Sequence, residues 1–408
     1  MKHPDHPYEH QPSHWSVLAS GICALVLTLG VARFAYTPMI PVLQSETGMG
    51  EALAGWLAGW NYLGYLSGVL IVSRLRDLRI KDRLYRGGLL LAVITTLMMA
   101  MGESPILWGV SRYLAGLSSA AGLMLGSGLI LNWLIRHDHR SELGVHFSGI
   151  GLGILVGVLV VAGAGLVWSW QGQWLALTLV GAVLLIPAWL GLPTPDRGQP
   201  LTPRHLGAAP EPGASWLWLL QGAYVCAGFG YVINATFTVL ITEQQPLLQG
   251  LGDWMWLLVG VAAIPAPILW DRIARRFDYL RTLQVAYGLQ IIGIVLPVVS
   301  GSLVAAILSA ALFGFTFIGI VSLVLTMVGV RYPAHPAQIM ARLTLGYGIA
   351  QILGPVLAGE VAEISGTFDG SLLVVAGLMV LGFICLQIMT RIAPNPPTAR
   401  SPTHQGPI

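Results

Sequence analysis

The chain has 408 residues, 55% of them apolar and only 10% charged, and its mean hydropathy is +0.72. Soluble globular proteins carry about 25% charged residues, so this composition excludes that class and makes lipid the solvent. The formal net charge of +3 is small and gives no footing for a nucleic-acid partner.

Residues 1–14 read as a polar, proline-containing tail. His3, His6, His10 and His14 lie there, but Pro4, Pro7 and Pro12 break any helix that would align them, so no metal site is expected. Twelve apolar segments follow, near 15–43, 52–73, 87–102, 105–135, 143–167, 173–192, 215–242, 253–271, 282–300, 303–330, 338–363 and 371–391. A spanning helix needs about 20 mostly apolar residues. The predicted fold is therefore an all-α integral membrane protein with 12 transmembrane helices. The first run is too long for a signal-peptide core and reads as a retained helix.

That first helix holds the most informative residue. Arg33 lies in the run Gly30-Val31-Ala32-Arg33-Phe34-Ala35-Tyr36-Thr37-Pro38-Met39-Ile40-Pro41. An arginine deep in a span is costly and usually faces a protein-lined or watery interior, which argues against a passive anchor. Pro38 and Pro41 should weaken the helix just past it.

The loop charges set an orientation. Arg74, Arg76, Arg79, Lys81, Arg83 and Arg86 follow the second segment, Arg136 and Arg140 the fourth, and Arg272, Arg275, Arg276 and Arg281 the eighth. Arg331 follows the tenth, and Arg391 and Arg400 lie in the tail. The alternate loops hold Glu46, Glu51, Glu103, Glu243, Asp253, Glu360, Glu363 and Asp369, without Lys or Arg. The positive-inside bias and the even span count predict a multi-pass protein of the cell inner membrane with both termini cytoplasmic.

Residues 193–214 contain six prolines and no apolar periodicity, so they read as a cytoplasmic linker. It separates an N-terminal six-helix bundle, 15–192, from a C-terminal one, 215–392, with a tail at 393–408. The halves echo each other at an offset of 197 residues, Gly149, Gly151 and Gly157 falling opposite Gly346, Gly348 and Gly354. Two pseudo-symmetric six-helix bundles around a midplane site are the expected architecture.

The segment from Gly30 to Gln44 resembles the first-helix signature of the YbfB/YjiJ-type branch of the major facilitator superfamily. Gly55-Trp56-Leu57-Ala58-Gly59-Trp60-Asn61-Tyr62-Leu63-Gly64-Tyr65-Leu66-Ser67-Gly68 looks like that branch's second helix. Ala32 stands where the branch usually has a second glycine. The resemblance implies that helices one, four, seven and ten line a central cavity. It likens Arg112-Tyr-Leu-Ala-Gly116 to a helix-four motif implicated in proton coupling. It also likens Asp271, Arg272, Arg275 and Arg276 to a cytoplasmic latch, whose twin between Arg74 and Arg86 lacks glycine.

Within that frame Arg33 and Arg112 are the candidate substrate-binding pair, because guanidinium grips carboxylate through two hydrogen bonds. Tyr36, Asn61 and Asn234 are added as polar contacts, and Tyr62, Tyr224, Tyr231 and Tyr347 as further hydrogen-bonding tips. No acid lies mid-span, so the coupling candidates are Arg112, Glu243 and His146, the last because histidine titrates near neutrality. No cofactor is expected, and Cys23, Cys226 and Cys385 read as packing residues. Fourteen tryptophans, among them Trp15, Trp56, Trp108, Trp168 and Trp254, read as interfacial anchors.

The expectation is a monomeric secondary active transporter of a small organic solute, an organic anion or a drug-like compound, working by alternating access with proton coupling. Its partners are that solute and the bilayer. A non-transporting membrane sensor or accessory protein of the same fold is the alternative. An enzyme is not expected, since no paired carboxylates, nucleophile–base arrangement or P-loop is present.

Overall fold

A computed structural model describes residues 13–137, 139, 143–195, 212–332 and 336–392. The predicted N-terminal tail up to residue 12, with His3, His6 and His10, lies outside the described residues, as do Arg140, most of the linker (196–211) and the tail at 393–408.

Among the described residues the helices form twelve rods and no strand is present. They are α1 (His14–Thr47), α2 (Glu51–Ser73), α3 (Leu78–Met99), α4 (Pro105–Arg136), α5 (Leu143–Gly165) and α6 (Trp170–Leu190) in the first half. The second half has α7 (Ala214–Glu243), α8 (Gly252–Ala263 continued by Ala266–Phe277), α9 (Tyr279–Val299), α10 (Leu303–Arg331), α11 (Pro336–Ser365) and α12 (Asp369–Ile392). Nine described helices are long and apolar enough to cross a membrane alone, and α8 makes ten when its two pieces, bent by 44°, count as one.

α1 shows how a polar centre is built into an apolar rod. Ser13 caps it by accepting from the Ser16 N–H, and Gly48, in the left-handed region at φ 72°, ends it. Between them Val26–Phe34 is wound as π-helix, closed where the Ala35 N–H donates to the Gly30 carbonyl at 2.8 Å. Such widened turns concentrate at functional sites. The expectation that Pro38 and Pro41 weaken the helix past Arg33 is corrected. Winding departs from α before the prolines, and Tyr36–Thr47 is α-helical through both. Pro38 falls in the first turn of that segment, where a missing N–H costs least.

α3 begins nine residues before the predicted start at 87, so Arg79, Lys81, Asp82, Arg83 and Arg86 ride on the helix rather than in a loop. Asp77 nucleates it by accepting from the Arg79 and Ile80 N–H groups at 2.7 and 3.2 Å. The Ile80 and Arg79 N–H groups hold its carboxyl below the usual carboxylate range.

The repeat is visible in polar ties. Ser111 donates to the Thr95 carbonyl at 2.7 Å, joining α4 to α3, and Ser309 donates to the Gly293 carbonyl at 2.6 Å, joining α10 to α9. The two bonds are displaced by 198 residues at both ends. Outside, apolar residues such as Ile106, Leu166, Leu179 and Ile364 are exposed, as lipid-facing positions must be. Trp15, Trp56, Trp168 and Trp254 are exposed near helix ends, but Trp108 is buried edge-on against Trp170, which corrects its reading as an anchor.

The halves meet closely at the end that carries the acidic loops. A Cβ on Gly55 of α2 would strike the Pro355 carbonyl of α11, and one on Gly359 would strike the Glu51 carbonyl at 2.5 Å. Glu363 accepts the Ala52 N–H at 2.7 Å and Glu360 accepts the Trp56 indole N–H at 2.9 Å. Thr37 donates to the Ala235 carbonyl of α7 at 2.6 Å. At the opposite, basic end a cleft of about 790 Å³ lies between α5, α8 and α10, lined by Leu143, Phe147, Ile268, Arg272, Ser322 and Thr326 among others.

Candidate functional site

Arg33 leaves α1 at the π-helical stretch and is only 6% exposed, with its guanidinium carbon 4.4 Å from the Tyr62 ring centroid, 4.8 Å from Tyr65 and 5.5 Å from Phe34. Tyr62 and Tyr65 are three residues apart on α2 and so present one face of that helix. The Arg33 Nε is buried without a hydrogen-bond partner, and the side chain pairs with no carboxylate among the described residues. Cation–π contacts soften the burial of its charge without neutralising it.

The second half closes this cage. The Tyr62 hydroxyl donates across the interface to the Tyr231 hydroxyl of α7 at 3.5 Å, and the two rings stand at 89°. Tyr231 stacks on Phe317 at 5.5 Å and Tyr347 at 6.3 Å, and Tyr347 stacks on Tyr224 at 4.4 Å. Phe313 extends the layer against Phe317 at 5.1 Å. Spacings of seven on α7 and four on α10 set these rings on one face of each helix.

Arg112 of α4 does something different. Its two terminal nitrogens donate to the Ala32 carbonyl at 2.8 Å and the Arg33 carbonyl at 3.2 Å, with the Tyr36 ring centroid 4.4 Å away. Continued π pairing would give the Arg33 carbonyl to the N–H of residue 38, which Pro38 does not have. The Arg112 fork fills that gap, so it holds the backbone that carries Arg33. Tyr36 donates to the Ala54 carbonyl at 3.1 Å, and Asn61 donates to the Arg112 carbonyl at 2.9 Å. Both tie α2 to its neighbours.

The remaining candidates are not brought to the cage. Asn234 lines a cavity of about 20 Å³ whose walls all belong to the second half. Both Glu243 oxygens accept backbone N–H groups, from Gly250 and Gly252 at 2.7 Å each, and so cap the start of α8. His146 is fully buried among α1, α4 and α5; its Nε2 is 3.0 Å from the Ser127 hydroxyl and its Nδ1 has no partner. Asp271 and Arg275 form an ion pair one turn apart on α8 at 2.9 Å, Arg276 packs on Phe277, and Arg272 lines the basic-end cleft. In the first half, Arg86 pairs with Asp82 at 3.1 Å and donates to the Trp189 and Leu192 carbonyls at 2.6 and 3.0 Å, fastening α3 to the end of α6.

Tyr65, Phe313 and Phe317 were not singled out by the sequence. Their one legible signal is helical spacing, Tyr65 with Tyr62 and Phe313 with Phe317, but aromatic residues in a span fit lipid-facing and core positions equally well.

Comparison with known proteins agrees with this architecture. A crystal structure of the nucleoside transporter NupG superposes with a TM-score of 0.68 at 14% identity, covering 93% of this chain and 99% of that one. The chain is 23% identical over 383 residues to the inner membrane transport protein YdhP of Escherichia coli O157:H7, covering 91% of this chain and 94% of that protein. It is 21% identical over 389 residues to the gentisate transporter of Corynebacterium glutamicum, covering 89% and 85%. Against the uncharacterized transporter mfc1 of Schizosaccharomyces pombe the similarity, 28% identity, covers 37% of this chain and 31% of that protein. Residues 25–387 match the family described as "Uncharacterised MFS-type transporter YbfB". The protein is therefore a multi-pass membrane protein with the major facilitator fold, and it belongs to the YbfB-type family of transporters.

Proposed function

We propose that the protein is a secondary active transporter of a small organic anion, moved by alternating access around Arg33. The observation that carries this reading is the cage itself: one buried guanidinium, without a carboxylate among the described residues, lies on the Tyr62 ring, whose hydroxyl reaches Tyr231 of the second half. An uncompensated charge inside a membrane protein favours a ligand that neutralises it. The bundles 15–192 and 215–392 rock about this point, the contacts of Glu360 and Glu363 closing one end and the Asp271–Arg276 segment guarding the other. The protein sits in the inner membrane with its termini cytoplasmic, following the basic loops. The names of its relatives span gentisate, acetylcholine and, for NupG, nucleosides, and gentisate is the anion among them, the kind of solute a lone buried arginine favours. Transport is proton-coupled, with His146 as the carrier, since Glu243 is engaged as a helix cap.

The test is flux of radiolabelled organic acids into proteoliposomes, with and without an imposed pH gradient. Arg33→Gln is expected to abolish uptake while the protein still elutes as a single folded species, and a protonophore is expected to remove the effect of the gradient. Undiminished uptake by Arg33→Gln would sink the site. Saturable binding without flux in any gradient would favour the sensor.

A further inference from the structure

The substrate class can be narrowed, on the footing of that anion-transport reading. We infer that the solute is a monocarboxylate carried directly on a flat aromatic ring. Two features fix this, one of charge and one of shape.

The sequence offers two interior arginines, which would suit a dianion. The structure leaves one. Both terminal nitrogens of Arg112 are taken by the carbonyls of Ala32 and Arg33. The Nε of each arginine is buried without a partner, but only Arg33 has terminal nitrogens not spent on backbone carbonyls; its guanidinium lies against Tyr62 and Tyr65, and Tyr62 in turn touches Tyr231 of the second half. A guanidinium and a carboxylate form a two-pronged pair that satisfies both charges. A second carboxylate on the same ligand would stay desolvated and unpaired, which is heavily penalised.

The walls are rings rather than aliphatic chains. Tyr231 lies within 21–22° of parallel to Phe313, Phe317 and Tyr347, at 5.5 to 6.4 Å between centroids. Tyr62 meets this layer edge-on, and its hydroxyl contact to Tyr231 is long at 3.5 Å. A flat ring entering between Tyr62 and Tyr231 replaces that weak contact with stacking on Tyr231 while its carboxylate reaches Arg33. A saturated ring of the same size offers no π face and stacks poorly. Because Tyr62 and Tyr231 belong to opposite halves, the ligand ring would bridge the interface that must rearrange during transport.

Four probes of similar size separate charge from shape: benzoate, cyclohexanecarboxylate, isophthalate and benzamide. They are titrated against the full-length protein in detergent, followed by thermal stabilisation, and repeated with Arg33→Gln and Phe317→Leu. Benzoate is expected to bind about fivefold to tenfold more tightly than each of the others. Arg33→Gln should erase the preference for benzoate over benzamide, and Phe317→Leu should shrink the preference over cyclohexanecarboxylate. Equal binding of cyclohexanecarboxylate and benzoate would overturn the aromatic inference while leaving an anion transporter. Tighter binding of isophthalate would overturn the single charge and leave the same. If no acid binds and benzyltrimethylammonium does, the anion reading falls with the inference.

Discussion

At the scale of single residues, two arginines that look alike in the sequence have different work. Arg33 sits against tyrosine faces, whereas the terminal nitrogens of Arg112 are bonded to two backbone carbonyls of α1. Hydrogen bonds from a charged group contribute about 1.5–3 kcal/mol each, and a buried carbonyl left without a partner costs further. Arg112→Gln is therefore expected to lower the unfolding temperature by several degrees, while Arg33→Gln changes it little. Differential scanning fluorimetry on both variants decides the matter. Equal destabilisation would mean that Arg33 also holds the fold and that its assignment as the ligand's partner is a misreading. The carbonyl partners of Arg112 could not be read in the sequence, because they depend on the π winding of Val26–Phe34 and on which helix crosses there.

At the scale of elements, glycine decides which helices touch. A Cβ on Gly30 of α1 would collide with the backbone of Gly153 on α5, and one on Gly153 would lie 2.8 Å from the Gly30 Cα. Close backbone approach of this kind drives helix association where lipid removes the hydrophobic incentive. The obstacle is main chain rather than a movable side-chain tip, so Gly153→Ala must push the helices apart. The expected loss is about 1–3 kcal/mol, by analogy with overpacked cores. It would be read as a fall in unfolding temperature, and no change would show that the α1–α5 crossing is slack. The helix positions themselves were legible, since apolar length is dictated by bilayer thickness. The early start of α3 was not, because the charges of Arg79 to Arg86 masked a helix capped by Asp77.

For the whole molecule, the question is which end is shut. In this structure the acidic end is held by Glu363 on the N-terminus of α2 and by Glu360 on Trp56, both reaching from the second half to the first. A carboxylate at a helix N-terminus is worth about 0.3–1 kcal/mol when exposed. Glu363→Ala should then shift the balance between end states by up to about fivefold towards the one open at the acidic end. Distances between spin labels placed across that end, measured by pulsed electron resonance, would lengthen in the variant. An unchanged distribution would assign closure to the glycine-lined contact of α2 with α11 instead.

The sequence by itself determined the membrane class, the rod count, the repeat and an arginine out of place in lipid. Each follows from composition or local spacing, which hydration and bilayer thickness read directly. Only the tertiary structure decided what surrounds that arginine. Tyr62 and Tyr65 of α2 flank it, Tyr62 reaches Tyr231 of α7, and Tyr231 stacks on Phe317 of α10 and Tyr347 of α11, and no local signal says which rings face a neighbour rather than lipid. It also decided that Asn234, Glu243 and His146 lie elsewhere, because a side chain's direction depends on the rotation of its helix within the bundle.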